Sequence, residues 1–352
     1  MASKSPGAPV PLRVFIFNDS PTMRVALKAA LTQFPDIVVV AEADSAEHAS
    51  ELIERAKPDV VLMDVIMPGK DGYEATREIM DRVPTPIVMV SSIVDPSDSR
   101  VVFEALTAGA LCIAEAPPPP TDPRYKSRSG ALAQLLRVMA TANVKKGQAA
   151  LASEAPPRVN DVGRQSIDAI GVVASTGGPS ALVRLLSQLP ESCPSVLVVQ
   201  HLAHGFAESF AAWLEERTGH PVKVARDGEY LRSGMVYLAP DDCHLELSGG
   251  RTLRVHREPA FGLFRPSGNL LLSSLARILG RRALGVVLTG MGDDGSVGAR
   301  ELRQAGGQVA AQDEQSSVVF GMPQAAISVG GADVVLPLDQ IAGWVVERSG
   351  CP

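Results

Sequence analysis

Three side chains of this 352-residue chain have the types and positions for acyl transfer. Ser175 stands in the segment VVASTGGP, 172–179, directly after an apolar run and before a helix-length stretch. Gly177 and Gly178 permit a tight turn and Pro179 suits a first helical turn, so the hydroxyl sits near a helix N-terminus, where partial positive charge favours an oxyanion. The turn alone leaves nucleophile and phosphate cradle level. It is not the G-x-S-x-G elbow, because Val173 stands two residues before the serine. His201 ends the next apolar run, 197–201, and Asp294 follows another, within 288–295. A hydroxyl nucleophile needs an imidazole to take its proton, and the imidazole needs a buried carboxylate to fix its tautomer. Three strands delivering these groups to one edge therefore favour a nucleophile, in the order Ser, His, Asp. Taken singly, His201 reads as a strand-end cap and the Asp-Asp-Gly of 293–295 as a turn. His204, three residues after His201, lacks a third ligand and reads as an outward helix residue rather than a metal partner.

A second constellation lies nearer the start. Asp19 follows the first apolar run and Asp64 the third, while Ser91 ends the fourth. In a doubly wound sheet the carboxyl ends of the strands form the ligand crevice, so the two carboxylates can converge there as oxygen ligands for Mg²⁺, with the hydroxyl beside them. A carboxylate nucleophile, a hard cation and a hydroxyl are what phosphoryl transfer onto an aspartate requires. Each residue alone is more simply a turn former or helix cap.

The elements that must hold these residues alternate. Short β-branched runs at 13–17, 37–41, 60–63, 87–90 and 110–113 are separated by amphipathic stretches near 21–34, 45–56, 72–81 and 98–108. That alternation predicts a parallel sheet covered on both faces. The rhythm breaks at the four prolines 117–120. A linker is expected over 118–165, with one amphipathic helix at 131–144. A second α/β series begins near 166, with strands at 169–173, 196–199, 222–224, 235–238, 284–288, 308–310 and 333–336 and helices at 179–189, 204–218, 267–280, 297–305 and 338–348. The stretch 244–257, with Gly249-Gly250 at its middle, reads as a β-hairpin. The expected domains are thus a disordered start over 1–11, a doubly wound five-stranded α/β domain over 12–117, the linker, and a larger doubly wound α/β domain over 166–350.

Composition excludes several classes. At about 150 residues per domain the length fits two domains with their own cores. Lysine and arginine total 33 against 39 acidic residues, a net charge of -6, so no chain-wide basic field serves nucleic acid. The four cysteines, Cys112, Cys193, Cys243 and Cys351, are scattered and suit thiols in a reducing compartment. No apolar run approaches the roughly 18 residues that cross a bilayer. The Pro-rich start lacks the apolar stretch of a signal peptide. A cytoplasmic protein without membrane insertion is expected.

The sequence motifs carry two resemblances. Asn18-Asp-Ser-Pro-Thr-Met-Arg24, Leu62-Met-Asp-Val-Ile-Met-Pro68 with Asp71-Gly72, and Pro86-Ile-Val-Met-Val-Ser-Ser92 make the first domain resemble a response-regulator receiver. The resemblance implies Asp64 as phosphoacceptor, Asp19 as a Mg²⁺ ligand and Ser91 as the hydroxyl. Two positions depart from the receiver pattern. Asn18 replaces a second acid, though an amide still offers an oxygen or a water-bridged contact to the cation. Ala116 replaces the lysine that offsets phosphoryl charge, with Glu115 of the wrong sign beside it and Lys70 able to substitute only if its loop swings in. Phosphorylation with weakened coupling and phosphate-independent docking both remain open.

The second domain is similar to the catalytic domain of the chemotaxis protein-glutamate methylesterases. Ala174-Ser-Thr-Gly-Gly178, Gln200-His201, Tyr237-Leu-Ala-Pro240, Arg265-Pro-Ser267, Leu288-Thr-Gly-Met-Gly292, Asp294-Gly295 and Phe320-Gly-Met-Pro323 appear in order. A receiver, a linker and this domain in succession are that family's architecture. The resemblance implies Ser175 as nucleophile, His201 as base, Asp294 as its orienter, the Met291 N–H as oxyanion donor and Thr176 in support. No cofactor is implied for catalysis. The implied reaction is hydrolysis of glutamate γ-methyl esters on methyl-accepting chemoreceptors, releasing methanol, with glutamine deamidation as a related activity. A histidine kinase is the implied phosphodonor, and the receiver covers the site until phosphorylated. One departure touches the catalytic half, where Asn269 stands in place of a family acid. The competing classes are a non-catalytic docking adaptor, against which the intact triad argues, and nucleotide binding at 176–178, which lacks a lysine or acidic follow-up.

Overall fold

The computed structural model describes residues 10–91, 103, 106, 109–142, 144, 166–202, 204–259 and 264–351. They form two units. The first comprises residues 1–93 with 108–147, and the second 94–107 with 148–352.

The first unit is built on a five-stranded parallel sheet of order β2-β1-β3-β4-β5, with β1 Leu12–Phe17, β2 Ile37–Ala43, β3 Val60–Asp64, β4 Ile87–Ser91 and β5 Cys112–Glu115. β1 sits inside the sheet, and its Val14, Phe15, Ile16 and Phe17 form an unbroken buried apolar run. Helix α1, Pro21–Leu31, starts where the Ser20 hydroxyl accepts from Met23 N at 3.3 Å and Pro21 opens the first turn. Helix α2 spans Ala49–Ala56. Helix α3, Gly72–Arg82, is capped by the Asp71 carboxylate, which accepts from Glu74 N at 2.8 Å.

The first unit closes with α4, Tyr125–Met139, which begins six residues before the expected 131–144. Its Leu132, Ala133, Leu136 and Met139 are buried at helical spacing, and Arg137 grips Asp36 at the head of β2 through two bonds of 2.7 and 2.9 Å. The front of the expected linker is therefore the last helix of the first unit. Of the helix expected over 98–108, only residues 103 and 106 lie among the described residues, and both group with the second unit.

The second unit carries a seven-stranded, all-parallel sheet of order β14-β13-β12-β6-β7-β9-β8. Its strands are β6 Ala169–Ala174, β7 Ser195–Gln200, β8 Val222–Val224, β9 Val236–Leu238, β12 Ala283–Val287, β13 Gln308–Gln312 and β14 Val334–Leu336. Between β9 and β12 the chain forms the expected hairpin, β10 His244–Ser248 against β11 Thr252–His256. The helices are α5 Gly178–Leu186, α6 Ala207–Thr218, α7 Gly268–Ile278, α8 Ser296–Gln304, α9 Gly321–Ser328 and α10 Leu338–Ser349. Leu271, Leu272 and Leu275 of α7 are fully buried in the core with Val173 of β6, each worth about 1.5–3 kcal/mol when removed from water. Among the described residues no helix is long and apolar enough to cross a membrane.

The strand order matters more than the strand count. From β6 the chain moves to β7 and outward on one side, then returns to lay β12 on the other side of β6. The crevice at such a reversal opens beyond the carboxyl ends of the strands that flank it.

Candidate active site

Ser175 follows β6, His201 follows β7 and Asp294 lies in the loop after β12, so all three come from the reversal point. The ladders set their depth. Ala174 pairs with Gln200, and Val173 pairs with both Val199 and Val287. His201 N donates to the Ala174 oxygen at 3.1 Å, and Ser175 N to the Thr289 oxygen at 3.1 Å.

Asp294 is 1% exposed and fully engaged. Its Oδ2 lies 2.9 Å from His201 Nε2 and accepts from Gly268 N at 2.6 Å, while Oδ1 accepts from the Ser267 hydroxyl at 2.9 Å and Asn269 N at 3.0 Å. Two of those donors are the first backbone N–H groups of α7, so the carboxylate sits on a helix N-terminus. Burial opposes its ionisation, but the bonds from His201 and from the Asn269 and Gly268 amides outweigh it and hold the carboxyl below its ordinary value. An ionised Asp294 requires Nε2 of His201 to carry the proton. The lone pair is then on Nδ1, which is buried and has no hydrogen-bond partner among the described residues.

No hydrogen bond joins the Ser175 hydroxyl to His201 among the described residues. The Phe264 ring lies flat on the imidazole, with centroids 4.4 Å apart and planes within 4°. It restrains the ring about the axis that its bond to Asp294 defines.

The turn beside Ser175 is clamped by Thr289, whose hydroxyl donates to the Thr176 oxygen at 2.9 Å and whose N–H donates to Gln312 Oε1 at 2.8 Å. Gly290 is needed here, because a Cβ on it would lie 2.3 Å from Met322 Sδ and 2.8 Å from Ser175 Cβ. The backbone N–H groups of Met291 and Thr176, the expected oxyanion donors, donate to no other described residue. Close by, Gln200, His204, Asp241, Asp242, Arg265 and Pro266 line a cavity of about 350 Å³. His204 is exposed in the turn before α6 rather than on the helix. Asn269, read from sequence as a lost carboxylate, is 9% exposed and accepts from Gly298 N of α8 at 3.0 Å, so it ties two helices together.

Sequence reasoning missed Gln200 and Phe264 as parts of the site and gave Ser267 and Thr289 no role. Gln200, Ser267 and Thr289 stand inside motifs that were visible. Phe264 carries no local signal at all.

In the first unit Asp64 ends β3, and Asn18 Nδ2 donates to its Oδ2 at 2.5 Å. Burial pushes the Asp64 carboxyl up to about 6, with the Asp19 charge adding to the rise. Asn18 Oδ1 already accepts from Ser20 N at 2.9 Å. Ser91 ends β4 in register with Glu115, and its side chain lies outside the described residues. Lys70 is held by Glu78 of α3 rather than turned toward Asp64. Two crowded carboxylates with no lysine facing them among the described residues fit a divalent cation that keeps much of its own water. Among the described residues no group of three or more His, Cys, Asp or Glu is arranged to hold a metal.

The chain is similar to known proteins over most of its length. Residues 170–345 match the family model of the CheB methylesterase, and residues 14–113 that of the response regulator receiver domain. The chain is 45% identical over 337 residues to protein-glutamate methylesterase/protein-glutamine glutaminase 4 of Myxococcus xanthus, covering 94% of this chain and 95% of that one. It is 42% identical over 335 residues to the corresponding enzyme 3 of Anaeromyxobacter dehalogenans, covering 94% and 97%. The crystal structure of the Thermotoga maritima CheB methylesterase catalytic domain, 37% identical, superposes with a TM-score of 0.50 over 52% of this chain and 99% of that domain.

Proposed function

The chain belongs to the CheB methylesterase family, with a response-regulator receiver ahead of the catalytic domain, and we propose that Ser175, His201 and Asp294 carry its chemistry. It is a protein-glutamate methylesterase. It hydrolyses glutamate γ-methyl esters on methyl-accepting chemoreceptors and releases methanol, and its receiver regulates the activity.

In the proposed mechanism Ser175 Oγ attacks the ester carbonyl while its proton passes to Nδ1 of His201. Asp294, accepting from Nε2–H, stabilises the imidazolium that forms. Collapse of the tetrahedral adduct expels methanol, protonated by the imidazolium, and leaves a glutamyl ester on Ser175. Water, deprotonated by Nδ1, then cleaves that ester and restores the serine. The N–H groups of Met291 and Thr176 would receive the oxyanion in both steps, each such donor contributing on the order of 10²- to 10³-fold. Glutamine deamidation would follow the same route with ammonia as leaving group.

The observation that carries this reading is the buried, unpartnered Nδ1 of an imidazole whose other nitrogen is bonded to Asp294. Replacing Ser175 with Ala and measuring methanol release tests it. The variant loses activity if Ser175 is the nucleophile, whereas a docking adaptor has none to lose.

For the receiver we propose Asp64 as phosphoacceptor, with a histidine kinase as donor and Asp19 and Asp64 holding Mg²⁺ beside Asn18 and Ser91. The cation, when bound, would neutralise charge on the incoming phosphoryl group. The cytoplasm, which the receptors' methylated helices face, is the proposed location. Comparing activity with and without a small phosphodonor tests the gating, and an unresponsive chain with unmodified Asp64 excludes it.

A further inference from the structure

We infer that Gln200 is a positioning residue that aims the oxyanion donor: by holding the Ser175 carbonyl, it fixes the peptide plane that directs the Thr176 N–H. This rests on the reading of Ser175 as nucleophile. Gln200 is the last residue of β7 and is 3% exposed. Its Nε2 donates to the carbonyl oxygen of Ser175 at 2.8 Å and to that of His201 at 3.0 Å. One amide group therefore ties the backbone of the nucleophile to that of the base.

The Ser175 oxygen also accepts from Gly178 N at 2.8 Å, so both of its lone pairs are used. A carbonyl held from two directions cannot swing. In a trans peptide the C=O and the following N–H point to opposite sides of one plane, so pinning that oxygen toward Gln200 turns the Thr176 N–H away from it. That N–H has no acceptor among the described residues, which leaves it free for a developing oxyanion.

One comparison fixes the amide orientation. Gln200 Oε1 is buried without a partner. Reversing the amide would face that oxygen against two carbonyl oxygens, which is worse. Gly178 leaves the room it needs, since a Cβ there would lie 2.0 Å from Oε1. Gln200 thus leaves one of its own bonding groups unmet in order to hold two backbone carbonyls outside the sheet ladder.

The test uses the full chain with chemoreceptor membranes carrying radiolabelled glutamate methyl esters, and labelled methanol as readout. Gln200→Met keeps the side-chain length and loses both donors. It should lower kcat 10- to 100-fold with KM within twofold. Gln200→Glu faces a carboxylate toward the two carbonyls at high pH and an acid that can donate at low pH. Its activity relative to the parent should rise at least threefold between pH 8.5 and pH 6. If Gln200→Met fails to fold, judged by far-UV circular dichroism, the pH trend of Gln200→Glu decides alone. A Met variant within threefold of the parent in kcat, a loss confined to KM, or a flat Glu-to-parent ratio overturns the inference. A parent without Ser175-dependent methanol release overturns the reading of the nucleophile and this inference with it. An active parent with an indifferent Gln200 overturns the inference alone.

Discussion

His201 Nε2 lies 2.9 Å from Asp294 Oδ2, and the same carboxylate closes the N-terminus of the helix α7 through Gly268 and Asn269. One side chain therefore sets the tautomer of His201, the proposed base, and anchors an element of the core.

Asp294→Asn separates these two roles only in part. Its amide must face a donor, either Nε2–H or Gly268 N–H, so kcat should fall about 10³- to 10⁴-fold as the wrong tautomer takes over. The buried mismatch should also cost about 1–3 kcal/mol of stability. The folded pKa of Asp294 is depressed below 3.8, so its stabilisation is fully present above about pH 4 and is lost as pH falls through the folded value. Denaturant titrations of parent and variant should differ most at pH 6–7 and converge in strong acid.

The opposite sign holds at Asp64. Its carboxyl is raised from 3.8 to about 6, so ionising it costs the folded state more than the unfolded one. That cost is absent below about pH 4, grows between pH 4 and pH 6, and is full above. The shift corresponds to up to about 3 kcal/mol, reduced by solvent screening of this partly exposed group to roughly 1–2 kcal/mol. Asp64→Asn should accordingly raise the thermal midpoint of the receiver at pH 7.5 and leave it unchanged at pH 4. Addition of Mg²⁺ should do likewise for the parent and less for Asp19→Asn. A midpoint that drops at pH 7.5 on Asp64→Asn would contradict the burial argument.

Gly290→Ala introduces a methyl group against Met322 and Ser175. The thioether of Met322 is flexible and can move, whereas Ser175 Cβ carries the proposed nucleophile and cannot move without spoiling its aim. Methanol release should fall more than tenfold while the thermal midpoint falls by only a few degrees, about 1–2 kcal/mol of overpacking. Equal damage to folding and activity would argue that the methyl group disrupts the whole loop instead.

Phe264→Ala removes the ring stacked on His201. The imidazole keeps Asp294 but gains freedom to rotate, so kcat should drop about 3- to 30-fold with KM little changed. Steady-state kinetics on the full chain checks this, and Phe264→Tyr should retain most of the activity.

Much of the catalytic unit could be read before any coordinates. Strands covered on both faces are written as short β-branched runs, and the three proposed triad residues stand just beyond such runs. What could not be read was lateral order. Nothing in residues 283–287 says that this strand returns to lie beside β6, and only that placement brings Asp294 to His201. Helix α4 was missed at its start because 125–130 is polar and carries no apolar stripe; its buried face begins at Ser129 and Leu132. Helix α9 was missed because it is eight residues long and has a proline in its first turn. Phe264 acts through a contact with a residue far away in sequence, which no local pattern reports, and Gln200 stands in a visible motif that says nothing of its bond to the Ser175 carbonyl. Asn269 misled for a related reason: substitution of an acid suggests lost chemistry, and the amide serves as a brace between helices.

The pairing of Ala174 with Gln200, and of Val173 with Val287, makes the proposed site a matter of counting. An extra residue in the connections after α5 or α8 only lengthens a loop, because the rungs downstream still meet their partners. An extra residue within β6 would turn position 175 to the other side of the sheet and carry the hydroxyl about 3.3 Å along the strand. Natural variation in length should therefore gather in the connections and in the hairpin turn, and the distance in residues from rung to reactive group should stay constant among active relatives.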